Sequence, residues 1–190
     1  MDEVNISDEQ YFRSIPWCQQ LLADPAFAIT GLKSRKVKDS NEDACFAETF
    51  NTPGTIPHCL AMYRVPSEPV AMIDEVRVLY HVGAKLDGNP HILHGGIQSF
   101  LLDEAMAKIP SFNKDREGGL TRRLTVTASL QVSFRKVATT PAVLLASAKT
   151  ERRQGRKLHL SSVLQDGNGQ VLATAEGVFV TVEPTVEERL

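Results

Sequence analysis

The chain has 190 residues, of which 42% are hydrophobic and 23% are charged, and its formal net charge at pH 7 is −2. This composition is ordinary for a globular protein of one domain. The weak net charge argues against binding of nucleic acid, or of an anionic membrane surface, through charge alone. No apolar stretch reaches the length of a membrane span.

The cysteines and the N-terminus bear on the cellular compartment. Three cysteines are scattered along the chain, and none has the spacing of a metal ligand. We therefore expect reduced thiols and no metal site. The first residues are acidic and resemble neither a signal peptide nor an arginine-rich transit peptide, so we expect a cytoplasmic protein.

The first third of the chain is predicted to be a helical extension followed by short strands. Residues 8–29 predict mainly helix, interrupted at Pro16 and ending near Pro25. A charged loop follows, and extended segments are then predicted at 44–50, 60–65 and 76–82.

The second half predicts one helix followed by strands. The helix spans residues 95–109 and ends at Pro110, and its apolar side chains surround the axis, which indicates a buried helix. Four strand segments are predicted, at 124–134, 142–150, 158–165 and 171–182, and hairpin turns join the last three. The fold class is therefore α+β, with an antiparallel sheet wrapped around one long helix. We divide the chain into a helical extension (1–43), a main domain (44–184) and a C-terminal tail (185–190).

The most informative motif is His94-Gly95-Gly96, followed by Asp103 within the same predicted helix. A helix that begins on glycines offers free backbone N–H groups to an incoming oxygen. A carboxylate in an apolar helix needs a polar partner or a function. Amide donors and a carboxylate base are the two parts that an acyl-transfer site requires.

Helix geometry separates these two parts. The Gly96 amide and the Cα of Asp103 lie roughly 10 Å apart along the axis, because each helical residue rises 1.5 Å. An antiparallel helix from a two-fold partner would bring Asp103 of one chain opposite Gly96 of the other. We therefore expect a homodimer with shared active sites.

The motif, the helix and the four following strands together resemble the hotdog-fold acyl-CoA thioesterases, of the phenylacetyl-CoA thioesterase type within the 4-hydroxybenzoyl-CoA thioesterase superfamily. The resemblance covers roughly residues 83–182. It implies the hotdog fold, assembly as dimers or as dimers of dimers (homotetramers), and hydrolysis of an acyl-CoA or acyl-carrier thioester without a metal or cofactor.

The resemblance also implies roles for individual residues. Asp103 would act as the nucleophile or as the general base that activates water. The Gly96 amide would polarise the thioester carbonyl, and Gly95 would shape the turn. His94 would orient the thioester or hold the loop, and Thr127 falls where related enzymes carry a residue that positions water.

Coenzyme A carries phosphates, which arginine binds well. Among the basic residues at the strand ends and turns of the second half, we favour Arg135 and Arg156 as its ligands. Three positions need separate comment. Many relatives have an asparagine where this chain has Gly88, and a glycine where it has His91. Glu104 is a second carboxylate beside Asp103, and a neighbouring strand or a basic side chain could bind it.

Two further interpretations stay open. One is a non-catalytic hotdog protein that binds an acyl ligand, although a pure binder has no need of a buried carboxylate. The other keeps the fold and changes the reaction to that of a hydratase, a dehydratase or a product-release enzyme of a biosynthetic pathway.

Overall fold

The computed structural model describes residues 4–68, 71–114 and 124–182. Its helices are α1 (Ile6–Arg13), α2 (Pro16–Leu22) and α3 (Gly95–Asn113). Its strands are β1 (Phe27–Thr30), β2 (Cys59–Arg64), β3 (Glu75–Val82), β4 (Asp87–Asn89), β5 (Ile92–Leu93), β6 (Leu124–Phe134), β7 (Ala142–Gln154), β8 (Lys157–Gln165) and β9 (Val171–Val182). Within the described residues, no helix is both long and apolar enough to cross a membrane.

One seven-stranded antiparallel sheet forms the body of the protein, in the order β1-β2-β3-β7-β8-β9-β6. Strands β4 and β5 form a separate short hairpin that leads into α3. Four of the sheet strands are the predicted C-terminal segments, with consecutive strands joined by hairpins from β7 to β9. The predicted α+β architecture, a sheet wrapped around one long helix with N-terminal helices, is confirmed.

The alternation of side chains along the strands gives the sheet two apolar faces. On the inner face, Ala61 and Tyr63 of β2 share a core with Leu102 and Met106 of α3. On the outer face, Leu60 and Met62 share a second core with the α1 and α2 residues Phe12, Cys18 and Leu22. The predicted burial of the central helix is confirmed, because Leu101, Leu102, Ala105, Met106 and Ile109 are fully buried.

The N-terminal predictions need two corrections. Residues 27–30 form a strand that pairs with β2, so the first 43 residues contribute to the sheet as well as to the helices. Residues 45–49 form a short helical turn and not a strand. The reason is that Arg35 binds the carbonyl oxygens of Phe46 and Phe50, at 3.2 and 3.4 Å, which fixes the turn. The domain boundaries stay a prediction, and the tail at 185–190 lies outside the described residues.

The central helix continues past the predicted stop at Pro110 and ends at Asn113. The Asn113 side chain donates to the Ile109 carbonyl at 2.9 Å and to the Ile73 carbonyl at 2.8 Å, and it accepts the Ile73 N–H at 2.8 Å. These bonds hold the last helical turn in place although Pro110 cannot donate a backbone hydrogen bond. The prediction was wrong here because a tertiary contact outweighs the local signal.

Candidate active site

His94 is the N-cap residue of α3 and organises the start of the helix. Its Nδ1 accepts the N–H of Gly96 at 2.9 Å, and its carbonyl oxygen accepts the N–H groups of Ile97 and Gln98 at 3.0 and 3.1 Å. The backbone N–H of His94 donates to Leu86 at 2.9 Å, which ties the cap to the chain before the β4–β5 hairpin. The cap therefore satisfies the N–H groups of Gly96 and Ile97, two of those that a helix leaves without an intrahelical partner.

This arrangement changes the expected role of Gly96. Its N–H, predicted to hold the thioester carbonyl, is committed to the imidazole of His94 in this structure. Because Nδ1 accepts that hydrogen bond, a neutral imidazole carries its proton on Nε2. His94 is exposed, so Nε2 can present this proton to a ligand.

Because Gly88 has no side chain, the His94 ring can pack directly against its backbone. A Cβ atom at this position would lie 2.9 Å from Cδ2 of His94 and 3.1 Å from its Cα. An asparagine, the residue that the resemblance leads us to expect here, would therefore not fit beside this ring. In the same hairpin, His91 has a positive φ of 60°, a conformation that glycine, the residue expected there from the resemblance, adopts without strain.

A cleft of about 660 Å³ opens beside the start of α3. Its wall includes His94 and Gly95 on one side and the end of β6 with the following residues on the other. The residues of the wall that matter most here are His94, Gly95, Gln98, Phe134, Arg135 and Lys136. The structure thus brings Arg135 and His94, two of the predicted site residues, to one cleft.

Asp103 lies on α3 two helical turns further on and faces β6. The hydroxyl of Thr127 donates a hydrogen bond of 2.9 Å to its Oδ1, so these two predicted residues are in contact. Burial raises the pKa of Asp103 above the ordinary value, and the charge of Glu104 raises it further. The hydrogen bond from Thr127 and the charge of Lys108 act in the opposite direction. Asp103 is therefore a stronger base than an exposed aspartate.

Glu104 has a different environment from its neighbour. Its Oε2 lies 2.6 Å from Nζ of Lys108, and that Nζ also donates to the hydroxyl of Ser34 at 2.8 Å. This is the basic partner that the sequence analysis allowed for Glu104. The two adjacent carboxylates thus differ, since Glu104 is paired with a cation and Asp103 is bonded to a neutral hydroxyl.

The predicted site residues fall into two groups at different places in the chain. We call His94, Gly95 and Arg135 the histidine end, and Asp103 with Thr127 the aspartate end. Thr127 pairs with Phe179 and Phe134 with Ala173, so Thr127 and Phe134 are seven residues apart along β6, roughly 23 Å, while Gly95 and Asp103 are about 12 Å apart along the helix.

Arg156 lies beyond the aspartate end. Its carbonyl accepts the N–H of Thr181 at 2.9 Å, while the N–H of Arg135 donates to Leu172 at the opposite end of β9, at 2.7 Å. One chain therefore does not bring Arg135 and Arg156 together. In the described residues, no cluster of His, Cys, Asp or Glu side chains has the arrangement of a metal site.

Sequence reasoning missed two features of this region. Gln98 lines the cleft, and the contact between Ser34 and Lys108 links residues far apart in the chain. The spacing of Gln98 on the first helical turn was a usable signal. No local sequence pattern predicts the contact between Ser34 and Lys108, because these residues are 74 positions apart.

The long helix held in a curved antiparallel sheet, with the His-Gly-Gly cap at its start, is a hotdog fold. The crystal structure of a hypothetical thioesterase with coenzyme A from Streptococcus pneumoniae is similar with a TM-score of 0.52 at 13% identity, covering 59% of this chain and 84% of that one. AziG of S. sahachiroi is similar with a TM-score of 0.51 at 20% identity, covering 58% of this chain and 86% of that one. These similarities establish the fold.

Sequence relatives extend the comparison, although no family model matches the chain. Verlamelin biosynthesis protein B of Lecanicillium sp is 28% identical over 210 residues, which cover 95% of this chain and 90% of that protein. Acyl-coenzyme A thioesterase THEM4 of Bos taurus is 28% identical over 114 residues, which cover 58% of this chain and 44% of that protein. The chain therefore has the hotdog fold and is similar in sequence to an acyl-coenzyme A thioesterase and to a biosynthetic protein.

Yeast relatives contradict the predicted cytoplasmic location. The mitochondrial membrane protein FMP10 of Saccharomyces cerevisiae is 24% identical over 80% of this chain and 59% of its own length. A mitochondrial protein of Candida albicans is 30% identical over 62% of this chain and 53% of its own length. The prediction was wrong because it rested on the character of the first few residues and on reduced cysteines, and reduced cysteines do not distinguish one reducing compartment from another.

Proposed function

We propose that this protein hydrolyses acyl thioesters of coenzyme A or of an acyl carrier, with Asp103 as the base or nucleophile. The observation that carries the proposal is the contrast between two adjacent carboxylates. Glu104 is neutralised by Lys108, whereas Asp103 is half-buried and, among the residues that the structure describes, is hydrogen-bonded by the neutral hydroxyl of Thr127 and by no cation. A carboxylate kept in such surroundings without a bonded cation is destabilising for the fold, and groups of this kind are concentrated at functional sites.

In the reaction, a water molecule held near Thr127 attacks the thioester carbonyl carbon while Asp103 accepts its proton. The new C–O bond forms, the C–S bond breaks, and the proton on Asp103 passes to the departing thiolate. The products are a carboxylic acid and a free thiol. The other route begins with attack by Asp103 itself, followed by hydrolysis of the resulting anhydride, and the geometry of one chain favours neither route.

The carbonyl oxygen needs a donor as negative charge develops on it. We assign this role to Nε2–H of His94, together with the N–H of Gly95 at the start of α3. Gly96 then acts one step removed, since its N–H fixes the tautomer of His94 by donating to Nδ1 at 2.9 Å. Arg135 lies in the wall of the cleft beside these groups, where it could bind the phosphates of coenzyme A. The Streptococcus pneumoniae thioesterase, which has the same fold and holds coenzyme A, supports this assignment.

In a homodimer with two shared active sites, the histidine end of one chain would lie beside the aspartate end of the other. Within one chain, Gly95 and Asp103 are separated by about 12 Å of helix. The α3 face that carries Gly96, Ser99, Asp103 and Ala107 is partly exposed and built mainly from small residues, so a second antiparallel helix could approach it closely. Strand β6 is the sheet edge beside this face, and Val126 is 47% exposed on it. Further assembly into a dimer of dimers stays a prediction.

Release of free thiol from a panel of acyl-CoA substrates tests the proposal. We expect Asp103→Asn to lower turnover by at least about a hundredfold, as for removal of a general base. Unchanged turnover in this variant would eliminate the mechanism. A wild-type protein that binds acyl-CoA but releases no thiol would instead be the acyl-ligand binder.

A mixture of two inactive variants tests the shared sites. Random exchange of equal amounts of Asp103→Asn and His94→Ala makes half of the dimers mixed, and each mixed dimer has one intact site. We expect about a quarter of wild-type activity in the mixture and none in either variant alone. No recovery after verified subunit exchange would show that each chain works alone.

A second candidate function rests on a relative that is similar to this chain over nearly its whole length. Verlamelin biosynthesis protein B matches 95% of this chain, whereas the bovine thioesterase matches 58%. A protein related over its whole length to a biosynthetic protein could release an acyl product from a carrier protein by the same hydrolysis. Comparison of kcat/KM for one acyl group on coenzyme A and on an acyl carrier protein separates these substrates.

A further inference from the structure

Lys108 is a buried cation whose three neighbours come from two distant parts of the chain. Only 5% of this residue is exposed, and its Nζ lies 2.6 Å from Oε2 of Glu104 and 2.8 Å from Oγ of Ser34. Its Nζ also lies 5.6 Å from the centre of the Phe46 ring. Ser34 and Phe46 lie 74 and 62 residues before Lys108, in the part of the chain that precedes β2 (residues 4–58), which we call the N-terminal segment.

Such a pair is difficult to explain by stability alone. Removing two charges from water is unfavourable, and apolar residues of similar volume often stabilise a protein as well or better. The pair lies on the helix that carries Asp103, and Glu104 is the very next residue. We therefore expect the Glu104–Lys108 pair to have an effect on Asp103.

We propose that Lys108 is a positioning residue for Asp103: it neutralises Glu104, and Ser34 of the N-terminal segment holds it there, so that Asp103 can act as a base beside a second carboxylate. This inference rests on the proposed function. It makes the N-terminal segment part of the catalytic apparatus, through a single hydrogen bond to the buried cation.

The charged and titratable groups around Asp103 support this role. From its own helix, Glu104 raises the pKa of Asp103 and Lys108 lowers it, after the larger effect of burial. From β6, Thr127 contributes a neutral hydroxyl that lowers the pKa. From β3, the buried Tyr80 interacts with both carboxylates, and burial holds its own pKa well above the ordinary value, so it stays neutral. Lys108 is thus the cation that offsets Glu104 for Asp103.

The groups around Lys108 itself come from three elements. Glu104 lies on the same helix, and Arg35 of the N-terminal segment lies over the same Phe46 ring, 4.9 Å from its centre. Cys59 of β2 interacts with Lys108, Glu104 and Arg35, and also with Asp8. Burial raises the pKa of Cys59 to about 12, so this thiol remains protonated. Glu104 is therefore the anion that the Lys108 ammonium group neutralises.

The test compares pH profiles of kcat/KM for four variants of the full chain: Lys108→Met, Glu104→Gln, the double variant and Ser34→Ala. We expect the acid limb of Lys108→Met to move to higher pH, with a loss of about fivefold or more near pH 5 that disappears near pH 8. Glu104→Gln is expected to move the limb to lower pH. The double variant should fall between them, and Ser34→Ala should follow Lys108→Met with a smaller shift.

The opposite signs separate this role from a merely structural one. A loosened helix would lower kcat in both single variants at every pH, and limbs that move in the same direction, or not at all, would overturn the proposal. The double variant contains no unpaired charge at the pair, so it remains informative if a single variant fails to fold. Titration of the Asp103 carboxyl carbon by ¹³C NMR gives the same comparison without turnover. A wild type that hydrolyses no thioester would thus refute the proposed function while the NMR result still decides the role of Lys108.

Discussion

Replacement of Gly88 by alanine tests whether the β4–β5 hairpin positions His94 for catalysis. The added Cβ would lie 2.9 Å from Cδ2 of His94, whereas ordinary van der Waals contact begins at 3.4 Å. The difference between these two values is 0.5 Å. Rotation of the ring cannot relieve the whole overlap, because the backbone Cα of His94 would also be only 3.1 Å away. We therefore expect a displacement of His94 by about half an ångström.

The magnitude follows from the sensitivity of catalysis to position. A misplacement of about 1 Å lowers rates by roughly a hundredfold, so half of that displacement predicts a loss of about tenfold in kcat/KM. The measurement is thiol release from an acyl-CoA at several substrate concentrations, with the folded fraction of each preparation determined by circular dichroism.

Gly167→Ala is the matched control. A Cβ there would lie 2.5 Å from Nε1 of Trp17, which packs against the outer core, and Gly167 is not among the residues that line the cleft. Overpacking of this kind costs about 1–3 kcal/mol of stability, but kcat/KM per folded molecule should stay at the wild-type value. If Gly88→Ala is fully folded and hydrolyses thioesters at the wild-type rate, the assignment of His94 as the carbonyl donor is wrong.

Three further outcomes follow from the same contacts. Thr127→Val removes a hydrogen bond that lowers the pKa of Asp103, so the acid limb of kcat/KM should move to higher pH, and Thr127→Ser should restore it. Because the pKa of Asp103 is raised in the folded state, the ionised form opposes folding; Asp103→Asn should raise Tm at neutral pH, and this gain should vanish as the pH falls below the ordinary range of a carboxyl group. Lys108→Met leaves the partly buried Glu104 without its cation and should lower the free energy of unfolding by up to about 3–5 kcal/mol in urea denaturation. A loss below about 1 kcal/mol, as for an exposed ion pair, would show that the pair is well solvated.

The sequence predicted the parts of the fold that depend on local periodicity. The central helix is apolar on all sides and is buried, and the strand-forming segments of the second half became β6 to β9. Contacts between distant residues decided the rest. Hydrogen bonds from Arg35 stabilise a helical turn where a strand was predicted at 44–50, and those of Asn113 stabilise the central helix beyond Pro110.

The candidate site was predictable as a set of residues but not as a geometry. The motif identified His94 and Asp103, yet it could not show that the Gly96 amide bonds the imidazole. Nor could it show that Thr127 reaches Asp103, because this contact depends on the register of β6, which contains an irregularity between Thr127 and Ser129. The departure at Gly88 is understandable only from the structure, where the His94 ring fills the space.

The separation of the two ends leads to a prediction about the arginines. A two-fold axis acts on every pair of residues at once, so the rotation that joins His94 of one chain to Asp103 of the other also brings Arg135 of the first chain toward Arg156 of the second. Arg135 belongs to the histidine end and Arg156 lies beyond the aspartate end. Each site would then contain one arginine from each chain.

Mixed dimers distinguish this arrangement from any other pairing. When Asp103→Asn is mixed with Arg135→Ala, each mixed dimer combines both lesions in one site and leaves the other site intact, so a component with the wild-type KM should appear. When Asp103→Asn is mixed with Arg156→Ala, each site carries one lesion, and every active site should show a raised KM for acyl-CoA. A wild-type KM in both mixtures would mean that Arg156 does not contact the substrate. A raised KM in both would place Arg135 and Asp103 in the same half of the site, contrary to the separation that the chain imposes.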